Sequence, residues 1–340
     1  MIPAALDHDA IISKLKGKTL YIPNLLAIFQ SAGWPSAQIN PLCPIIVPLV
    51  NDTIRQIAAA TKDPLIEKRL KDDIALLACL WYPSADPPRL RTLVLFSVWL
   101  VCWDDSVDAG EGSLAGSLAK ADEWRAETLR IAEMALGLAG HHASPVDAME
   151  KGLNSLLLEF GPALVETMNL DQRRKVFDEL CFFVQSCATE QKLRLERFIP
   201  CYESYLNVRL GSIGGGLLCS LLEYANAMIM IPDLPSQKDA NEMRTHVSVL
   251  LSLLNDLLSL KKELNTDCVI NAVATLLSPH ITLDEVVADI VKKIQQSVER
   301  FDAIVTRLIN HDEKTEEHRK LVEAYADQCR IIVIGTLEFT

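Results

Sequence analysis

Apolar residues recur at steps of three and four along most of the chain, which is the spacing of a helix with one face in a core. The clearest stretches are 74–81, 93–103 and 250–258, where leucine, isoleucine, phenylalanine and tryptophan dominate. Breakers separate such stretches, for example at Pro83–Pro88 and Pro232–Pro235. No convincing series of alternating apolar and polar positions predicts strands. The pattern therefore predicts an all-α fold of about ten to twelve helices.

A capping box marks the start of one predicted helix. Thr282 and Glu285 have the spacing at which a hydroxyl and a carboxylate satisfy reciprocal backbone N–H groups, so we expect a helix from there through Phe301. Neither a linker rich in Pro, Gly and Ser nor a repeat of about 20 to 50 residues divides the chain. We therefore expect a polar N-terminal tail over residues 1–20 and one helical domain over residues 21–340.

Composition narrows the possible functions. The net charge of -12 argues against a nucleic-acid partner, because phosphate backbones are bound by clustered Lys and Arg. An acidic chain that binds an anionic ligand would need metal ions between the two. Apolar residues make up 49% of the chain and the mean hydropathy is +0.17, which is enough for a thick core and for the lining of an apolar cavity.

The sequence also bears on location. The first 18 residues have no continuous apolar region of the kind found in secretory signals. The longest strongly apolar stretch, Leu93 to Trp103, is well short of the roughly 20 residues that span a bilayer. Nine scattered cysteines without a C-x-x-C pair are typical of reduced thiols inside a cell. We therefore expect a cytoplasmic protein without a membrane span.

Three carboxylates, Asp104, Asp105 and Asp108, follow directly on the apolar segment that ends at Trp103. At about 100° per residue, Asp104 and Asp108 share one helix face and Asp105 lies beside them. Carboxylates crowded at a helix C-terminus repel one another and oppose the helix dipole, so a cation would stabilise them. Mg²⁺ fits because it takes oxygen ligands and bridges carboxylates to phosphates. Taken alone, the cluster is also typical of a solvated acidic helix end, and the earlier Asp72-Asp73 pair is interpreted as solvent-facing.

A second polar set, Asn255, Ser259 and Glu263, recurs at steps of four within a leucine-rich segment. On a helix these positions form one stripe that drifts by about 80° over two turns. An amide oxygen, a hydroxyl and a carboxylate aligned in this way offer three oxygen ligands to one cation. The alternative is a chance arrangement of polar residues on an amphipathic helix.

Arg209 stands just before a glycine-rich segment, Gly211 to Gly216. Each glycine costs a helix about 1 kcal/mol relative to alanine, so the segment predicts a helix break. An arginine beside such a break can present its planar guanidinium to phosphate oxygens. The segment lacks the Lys-Ser/Thr of a P-loop, and close helix packing at the glycines with a solvated Arg209 is the alternative.

Together these features resemble the class I terpene cyclases, whose pattern is a DDxxD motif, a later NDxxSxxxE motif and a diphosphate-sensing Arg upstream of the second motif. In the family this Arg precedes the Asn of the second motif by the same interval as here, where the positions 209 and 255 differ by 46. Further matches to fungal sesquiterpene cyclases are Ile22-Pro23-Asn24-Leu25, the pairs Trp34-Pro35 and Asn40-Pro41, and Trp99-x-x-x-Trp103-Asp104-Asp105. The similarity runs from about Ile22 to Phe339.

The resemblance implies a class I terpenoid synthase bundle around an apolar cavity and about three Mg²⁺ ions. Asp104 would bridge two ions, Asp105 and Asp108 would support it, and Asn255, Ser259 and Glu263 would hold a third ion. Arg209 and Lys262 would contact the diphosphate, although Lys262 could equally be a solvated surface lysine. The substrate implied is an isoprenoid diphosphate, with farnesyl diphosphate preferred, converted to a sesquiterpene hydrocarbon or alcohol. A homodimer is common in the family.

Two departures from the family pattern concern closure of the site. No Arg-Tyr pair follows Glu263, and by family spacing that pair would fall just beyond Thr340. Either the natural chain is longer or the enzyme closes its site differently. The positions three and four after the sensor Arg are Ser212 and Ile213, where the family more typically has Asp and then Gly.

Candidate wall positions follow from helix geometry. Leu100 and Val101 lie about one turn before Asp104, and Phe96 lies about two turns before it. Phe182 and Phe183 could offer aromatic faces to a cation. Ordinary core packing is the alternative for each of these residues.

Three rival functions make different demands on the sequence. A prenyl-chain elongating synthase should carry a second aspartate-rich motif where this chain has Asn255, Ser259 and Glu263. A di-iron carboxylate bundle needs two Glu-x-x-His motifs, and none of the seven histidines has a Glu three positions before it. A non-catalytic helical binding protein remains an alternative.

Overall fold

The computed structural model describes residues 8–107, 112–139, 152–227, 237–266, 269–278, 280–310 and 315–340. Asp108, one of the three carboxylates predicted to bind metal, lies outside these described residues. The elements within them are all helices, which confirms the all-α prediction. In chain order they are α1 (His8–Leu15), α2 (Leu26–Ser31), α3 (Cys43–Thr61), α4 (Pro64–Lys68), a 3-10 turn (Arg69–Lys71), α5 (Ile74–Trp81), α6 (Pro87–Val107), α7 (Leu118–Ala135), α8 (Ser155–Thr167), α9 (Leu170–Leu195), α10 (Tyr202–Ser212), α11 (Gly215–Ser220), α12 (Leu222–Ala225), α13 (Gln237–Asn265), α14 (Ala272–Leu276), α15 (Leu283–Ile309) and α16 (Glu316–Phe339).

The N-terminal segment that was expected to be a polar tail contains a packed helix. In α1 the side chains of Ile11 and Leu15 are buried and belong to the common hydrophobic core. Helix α1 therefore packs against the rest of the protein. The division of the chain at residue 20 stays a prediction.

Helix α6 lies at the centre of the bundle and is buried on most sides. Its two prolines, Pro87 and Pro88, occupy the first turn, where the missing N–H donors are not needed. On one side the indole N–H of Trp99 donates to Asn154 Oδ1 at 3.2 Å, and that of Trp103 donates to Thr128 Oγ1 at 3.0 Å. These bonds fix the rotation of α6 against α7 and the start of α8.

The glycine-rich segment breaks the helix where the sequence predicts it. Helix α10 ends at Ser212 and α11 begins at Gly215. Gly214 between them has a φ of +72°, in the left-handed region that favours glycine. A Cβ on Gly215 would lie only 2.6 Å from Ser248 Oγ of α13, so the glycines serve both the break and close packing.

Helices α13 and α15 pack against each other along much of their length. The predicted capping box at Thr282 and Glu285 is present at the start of α15, which confirms that helix boundary. The buried face of α15 carries Ile290, Ile294 and Phe301. None of the described helices is both long and apolar enough to cross a membrane.

Candidate metal and diphosphate site

The three polar features of the sequence meet at one cleft. Its mouth is a cavity of about 190 Å³ between α6, α9, α10 and α13. A second cavity, of about 740 Å³, shares part of this mouth and extends between α5, α6, α9, α10, α11, α13 and α16. The residues that line both cavities are Asp104, Asp105, Arg209, Asn255 and Lys262. Ser259 and Glu263 line the mouth but not the larger cavity.

On the α13 side, the predicted stripe forms as its spacing requires. The Ser259 hydroxyl donates to the Glu263 carboxylate. Asn271 donates from Nδ2 to the same carboxylate at 2.9 Å and to the carbonyl oxygen of Asp256 at 2.9 Å. Asn255 Oδ1 accepts from Arg209 Nη2 at 2.5 Å. Asn255 is therefore held by Arg209 of α10, and Glu263 is held by Asn271 at the start of α14 and by Ser259.

Arg209 is nearly buried within a set of acidic and polar side chains, and its side chain is only 12% exposed. Its Nε lies 3.4 Å from Asp256 Oδ1, and its Nη1 lies 3.8 Å from Glu190 Oε2. Asp256 is fully buried and also accepts from the Tyr205 hydroxyl and, at 2.9 Å, from the Ala272 N–H. The interpretation of Arg209 as a solvated residue is thus wrong.

Burial and charge shift the pKa values of this network in ways that identify the charged groups. Burial raises the pKa of the Glu263 carboxyl to about 7, and the negative charge of Asp256 adds to the effect. Burial acts to lower the pKa of Arg209, but Glu190 and Asp256 raise it well above its usual value. Arg209 therefore stays cationic, whereas the ionised form of Glu263 is disfavoured in the absence of a further cation.

On the α6 side, Asp104 and Asp105 contact a thiol and an arginine. The Cys187 thiol donates to Asp104 Oδ1 over 3.8 Å. Asp105 Oδ2 lies 3.0 Å from Arg69 Nη1, and the same nitrogen lies 2.6 Å from Asp72 Oδ2. The ion pair between Arg69 and Asp105 thus joins the last turn of α6 to the 3-10 turn that precedes α5.

Sequence reasoning missed this part of the site. Asp72 was expected to face solvent, but it lines the larger cavity with Arg69. Its neighbour Asp73 instead caps α5, because its side chain accepts from the Leu76 N–H at 3.3 Å. The spacing of three between Arg69 and Asp72 was a usable signal for the ion pair between these two residues. Nothing in the sequence pattern indicated Asp105 as a shared partner.

The predicted wall positions divide into two groups. Leu100, Val101 and Phe183 line the larger cavity. Phe96 does not, because its ring packs edge-on against Phe160 at 5.9 Å and borders a separate apolar cavity of about 20 Å³. The Phe182 side chain is 44% exposed, since α9 can direct only one of two adjacent residues inward.

Further wall residues come from α5 and α16. Trp81 lines the cavity, and its indole N–H donates to Thr336 Oγ1 at 2.8 Å. Ile74 and Leu77 from α5 and Phe339 from α16 complete this side. The periodicity of residues 74–81 identified a buried helix, but it could not distinguish core from cavity wall.

The donor set fits a divalent cation. Within the part of the chain that the structure describes, no three His, Cys, Asp or Glu side chains form a metal-binding group by themselves. The oxygen donors at the cleft come instead from Asp104 on α6 and from Asn255, Ser259 and Glu263 on α13. Carboxylate, amide and hydroxyl oxygens are the ligands that hard divalent cations take in proteins. A cation here would also favour the ionised form of the partly buried Glu263 carboxyl.

Comparisons with known proteins identify the family of the chain. Residues 95–300 match the family described as terpene synthase family 2, C-terminal metal binding. The chain is 28% identical over 333 residues to the sesquiterpene cyclase hepA of Aspergillus oryzae, covering 95% of this chain and 88% of that protein. It is 22% identical to the silphinene synthase peniA of Penicillium patulum, covering 96% and 86%.

Solved structures share the fold. Germacradien-4-ol synthase from Streptomyces citricolor superposes with a TM-score of 0.70 at 15% identity, covering 95% of this chain and 98% of that one. An α-eudesmol synthase superposes with a TM-score of 0.75 at 14% identity, covering 90% and 96%. At these identities the likeness concerns the fold alone.

Proposed function

The chain belongs to terpene synthase family 2 and is a terpene cyclase, and from this premise we propose that it ionises and cyclises farnesyl diphosphate with the help of Mg²⁺. One observation carries the proposal: the oxygen donors and Arg209 meet at the mouth of a cavity whose interior is mainly apolar. A diphosphate fits the first part and an isoprenoid chain fits the second.

The residues of the mouth have distinct proposed roles. Asp104 would bridge cations on the α6 side, with Asp105 and Asp108 in support, while Asn255, Ser259 and Glu263 would hold a further one. When bound, the cations would neutralise the negative charge that develops on the departing diphosphate. Arg209, held in place by Asp256, would donate to diphosphate oxygens, and exposed Lys262 could reach them from the rim.

The interior of the cavity suits a reactive cation. Leu100, Val101 and Leu251 supply apolar walls that exclude water, and Phe183 and Trp81 supply aromatic faces. A volume of about 740 Å³ lies within the range of small-molecule sites. The farnesyl chain length is favoured because hepA, a sesquiterpene cyclase, matches over nearly the whole chain.

A direct assay tests the proposal. The purified protein would be incubated separately with geranyl, farnesyl and geranylgeranyl diphosphate, with Mg²⁺ or with EDTA, and volatile products and released diphosphate would be measured. We expect farnesyl diphosphate to be consumed fastest, a terpene to form, and Mg²⁺ to restore activity lost in EDTA. Formation of longer diphosphates alone, or no consumption of any substrate, would contradict the proposal.

A further inference from the structure

An arginine outside the three sequence motifs lies on the α6 side of the cleft. Arg69, in the 3-10 turn before α5, lines the cavity of about 740 Å³ together with Asp72 and Asp105. Its Nη1 lies 3.0 Å from Asp105 Oδ2 and 2.6 Å from Asp72 Oδ2. The Arg69 side chain is only 22% exposed, so most of its surface is taken up by contacts within the protein.

The backbone around Arg69 fixes its position. The Asp72 N–H donates to the Arg69 carbonyl at 3.1 Å, which closes the turn, and Leu70 packs against the hydrophobic core. Asp73 has a φ of +48°, in the left-handed region, and its side chain accepts from the Leu76 N–H at the start of α5. Arg69 and Asp72 are therefore presented to α6 by a turn that the core and the cap of α5 hold in place.

The contact with Arg69 distinguishes the two oxygens of the Asp105 carboxylate. Oδ2, which faces Arg69, is enclosed by protein atoms, whereas the Asp105 side chain as a whole is 29% exposed and lines both cavities. A cation that enters the cleft therefore meets Oδ1 rather than Oδ2. Because an ionised carboxylate accepts at both oxygens, Asp105 can serve Arg69 with one and a cation with the other.

Stability does not account for this arrangement. An ion pair between side chains that are 29% and 22% exposed contributes little to folding, because water screens the two charges. Carboxylates that bind metals are commonly oriented by a further hydrogen-bonding partner, and loss of that partner weakens metal binding or activity by about 10- to 100-fold. Arg69 has the position of such a partner for Asp105.

We propose that Arg69 is a positioning residue for the metal site, an inference that rests on the proposed function. Its guanidinium holds Oδ2 of Asp105, so that Oδ1 is turned to a divalent cation in the cleft, and Asp72 holds the guanidinium in turn. Arg69 does not itself contact the substrate. Its effect on the reaction therefore passes through Asp105.

Two variants test this role, because Arg69→Gln removes the charge and Arg69→Lys keeps it on a side chain without the planar fork. Binding of Mn²⁺ in the presence of inorganic diphosphate would be measured by electron paramagnetic resonance, and the Mg²⁺ dependence of turnover would be measured with farnesyl diphosphate. We expect the Mn²⁺ dissociation constant and the Mg²⁺ concentration for half-maximal turnover to rise about tenfold in Arg69→Gln, and by less in Arg69→Lys. The KM for farnesyl diphosphate at saturating Mg²⁺ should stay within about twofold, because no contact with the substrate is lost.

A double-mutant cycle with Asp105→Asn separates this role from a direct contact with the diphosphate. If Arg69 acts through Asp105, Arg69→Gln should have little further effect in the Asp105→Asn background. Asp72→Asn should weaken Mn²⁺ binding in the same direction as Arg69→Gln, but by a smaller factor. Lys71→Gln is the matched control, because it removes an exposed positive charge from the same turn and should leave Mn²⁺ binding unchanged.

The results that would overturn the inference differ from those that would overturn the proposed function. If Arg69→Gln binds Mn²⁺ as tightly as the wild type or more tightly, Arg69 does not position a metal ligand, while the proposed function stands. If the losses from Arg69→Gln and Asp105→Asn are additive, Arg69 acts independently of Asp105 and the inference is again wrong. If the wild type neither consumes farnesyl diphosphate nor binds Mn²⁺ with inorganic diphosphate, the inference and the proposed function are both wrong.

Discussion

The α13 side and the α6 side of the cleft present their oxygen donors from very different surroundings. On α13 the donors belong to a network that includes fully buried Asp256, nearly buried Arg209 and the side chain of Asn271. On α6 the contacts include a long thiol bond from Cys187 to Asp104 and an ion pair between Asp105 and Arg69. The α13 donors thus belong to a network around a fully buried carboxylate, whereas the ion pair of Asp105 on α6 is partly exposed.

The energies on the two sides differ accordingly. Removing one partner of a buried ion pair costs about 3–5 kcal/mol of stability, because the other charge is left buried without compensation. A partly exposed pair contributes about 0–1 kcal/mol. The Asp105 and Arg69 side chains are 29% and 22% exposed, so their pair lies near the lower figure. Substitutions on α13 should therefore affect folding and chemistry together, and those on α6 should affect chemistry alone.

The largest effect should come from Asp104→Asn, which removes a charge from the metal side and keeps the size of the side chain. We expect turnover to fall on the order of a thousandfold, since such losses follow removal of one group that stabilises developing charge. The melting temperature should change by less than about 2 °C. Turnover assays and thermal unfolding measure the two effects. Retained turnover would contradict the assignment of Asp104 as a metal ligand.

Asn255→Ala is the matched change on the other side. Turnover should again be lost, but stability should also fall by about 1 kcal/mol, because Arg209 loses the acceptor at 2.5 Å. Urea unfolding measures the difference. Equal stability of this variant and Asp104→Asn would remove the distinction between the two sides.

A large loss of stability is expected for Asp256→Asn. The substitution removes the charge that faces Arg209 in the interior, so the free energy of unfolding should fall by about 3 kcal/mol. Tyr205→Phe is its control, because it removes one hydrogen bond to the same carboxylate and should cost about 1 kcal/mol. If both variants unfold at the same urea concentration, Asp256 does not act through its charge.

The two sides also differ in how far the sequence predicted them. Asn255, Ser259 and Glu263 could be placed together because steps of four along one helix fix their relative positions. Arg209 could be added because its interval to Asn255 matches a known family. The role of Asp256 was not predicted, because its partners come from α10 and α14. Helical periodicity does not indicate which residues of different helices are in contact.

Limits of the same kind explain the misplaced wall residues and the number of helices. Counting turns back from Asp104 reaches Phe96, but the packing of α6 against α8 directs that ring away from the cavity. Within the described part of the chain, eleven helices have eight or more residues, in line with the prediction, whereas α2, α4, α11, α12 and α14 are shorter. Helices of one or two turns contain too few apolar positions to show a period.

A smaller effect is expected for Asp105→Asn, which loses its ion pair with Arg69. We expect kcat/KM to fall by about tenfold, as for groups that support a metal ligand, with stability unchanged within about 1 kcal/mol. Arg69→Gln is the control for the ion pair and should leave stability within the same limit. A loss as large as that of Asp104→Asn would place Asp105 among the principal ligands.

The smallest effect concerns how α13 is anchored to α15. His246 is 8% exposed, and its Nδ1 lies 2.9 Å from Ser297 Oγ. Burial lowers the pKa of His246, the charge of Glu242 opposes this, and that of Arg300 adds to it. Because the folded state holds the neutral ring, this contribution to stability is present above the unfolded pKa of about 6.5 and is lost as pH falls through the folded value.

His246→Gln tests this anchor by comparison of melting temperatures between pH 7.5 and pH 5.5. The raised pKa of Glu263 has the opposite effect on the pH dependence of stability, because protonation of that carboxyl favours the folded state as pH falls. Glu263 is present in both proteins, so the difference between their pH profiles isolates His246. We expect the wild type to lose stability more steeply than the variant towards pH 5.5. If the melting temperatures of the two proteins change with pH in parallel, protonation of His246 does not affect the stability of the contact between α13 and α15.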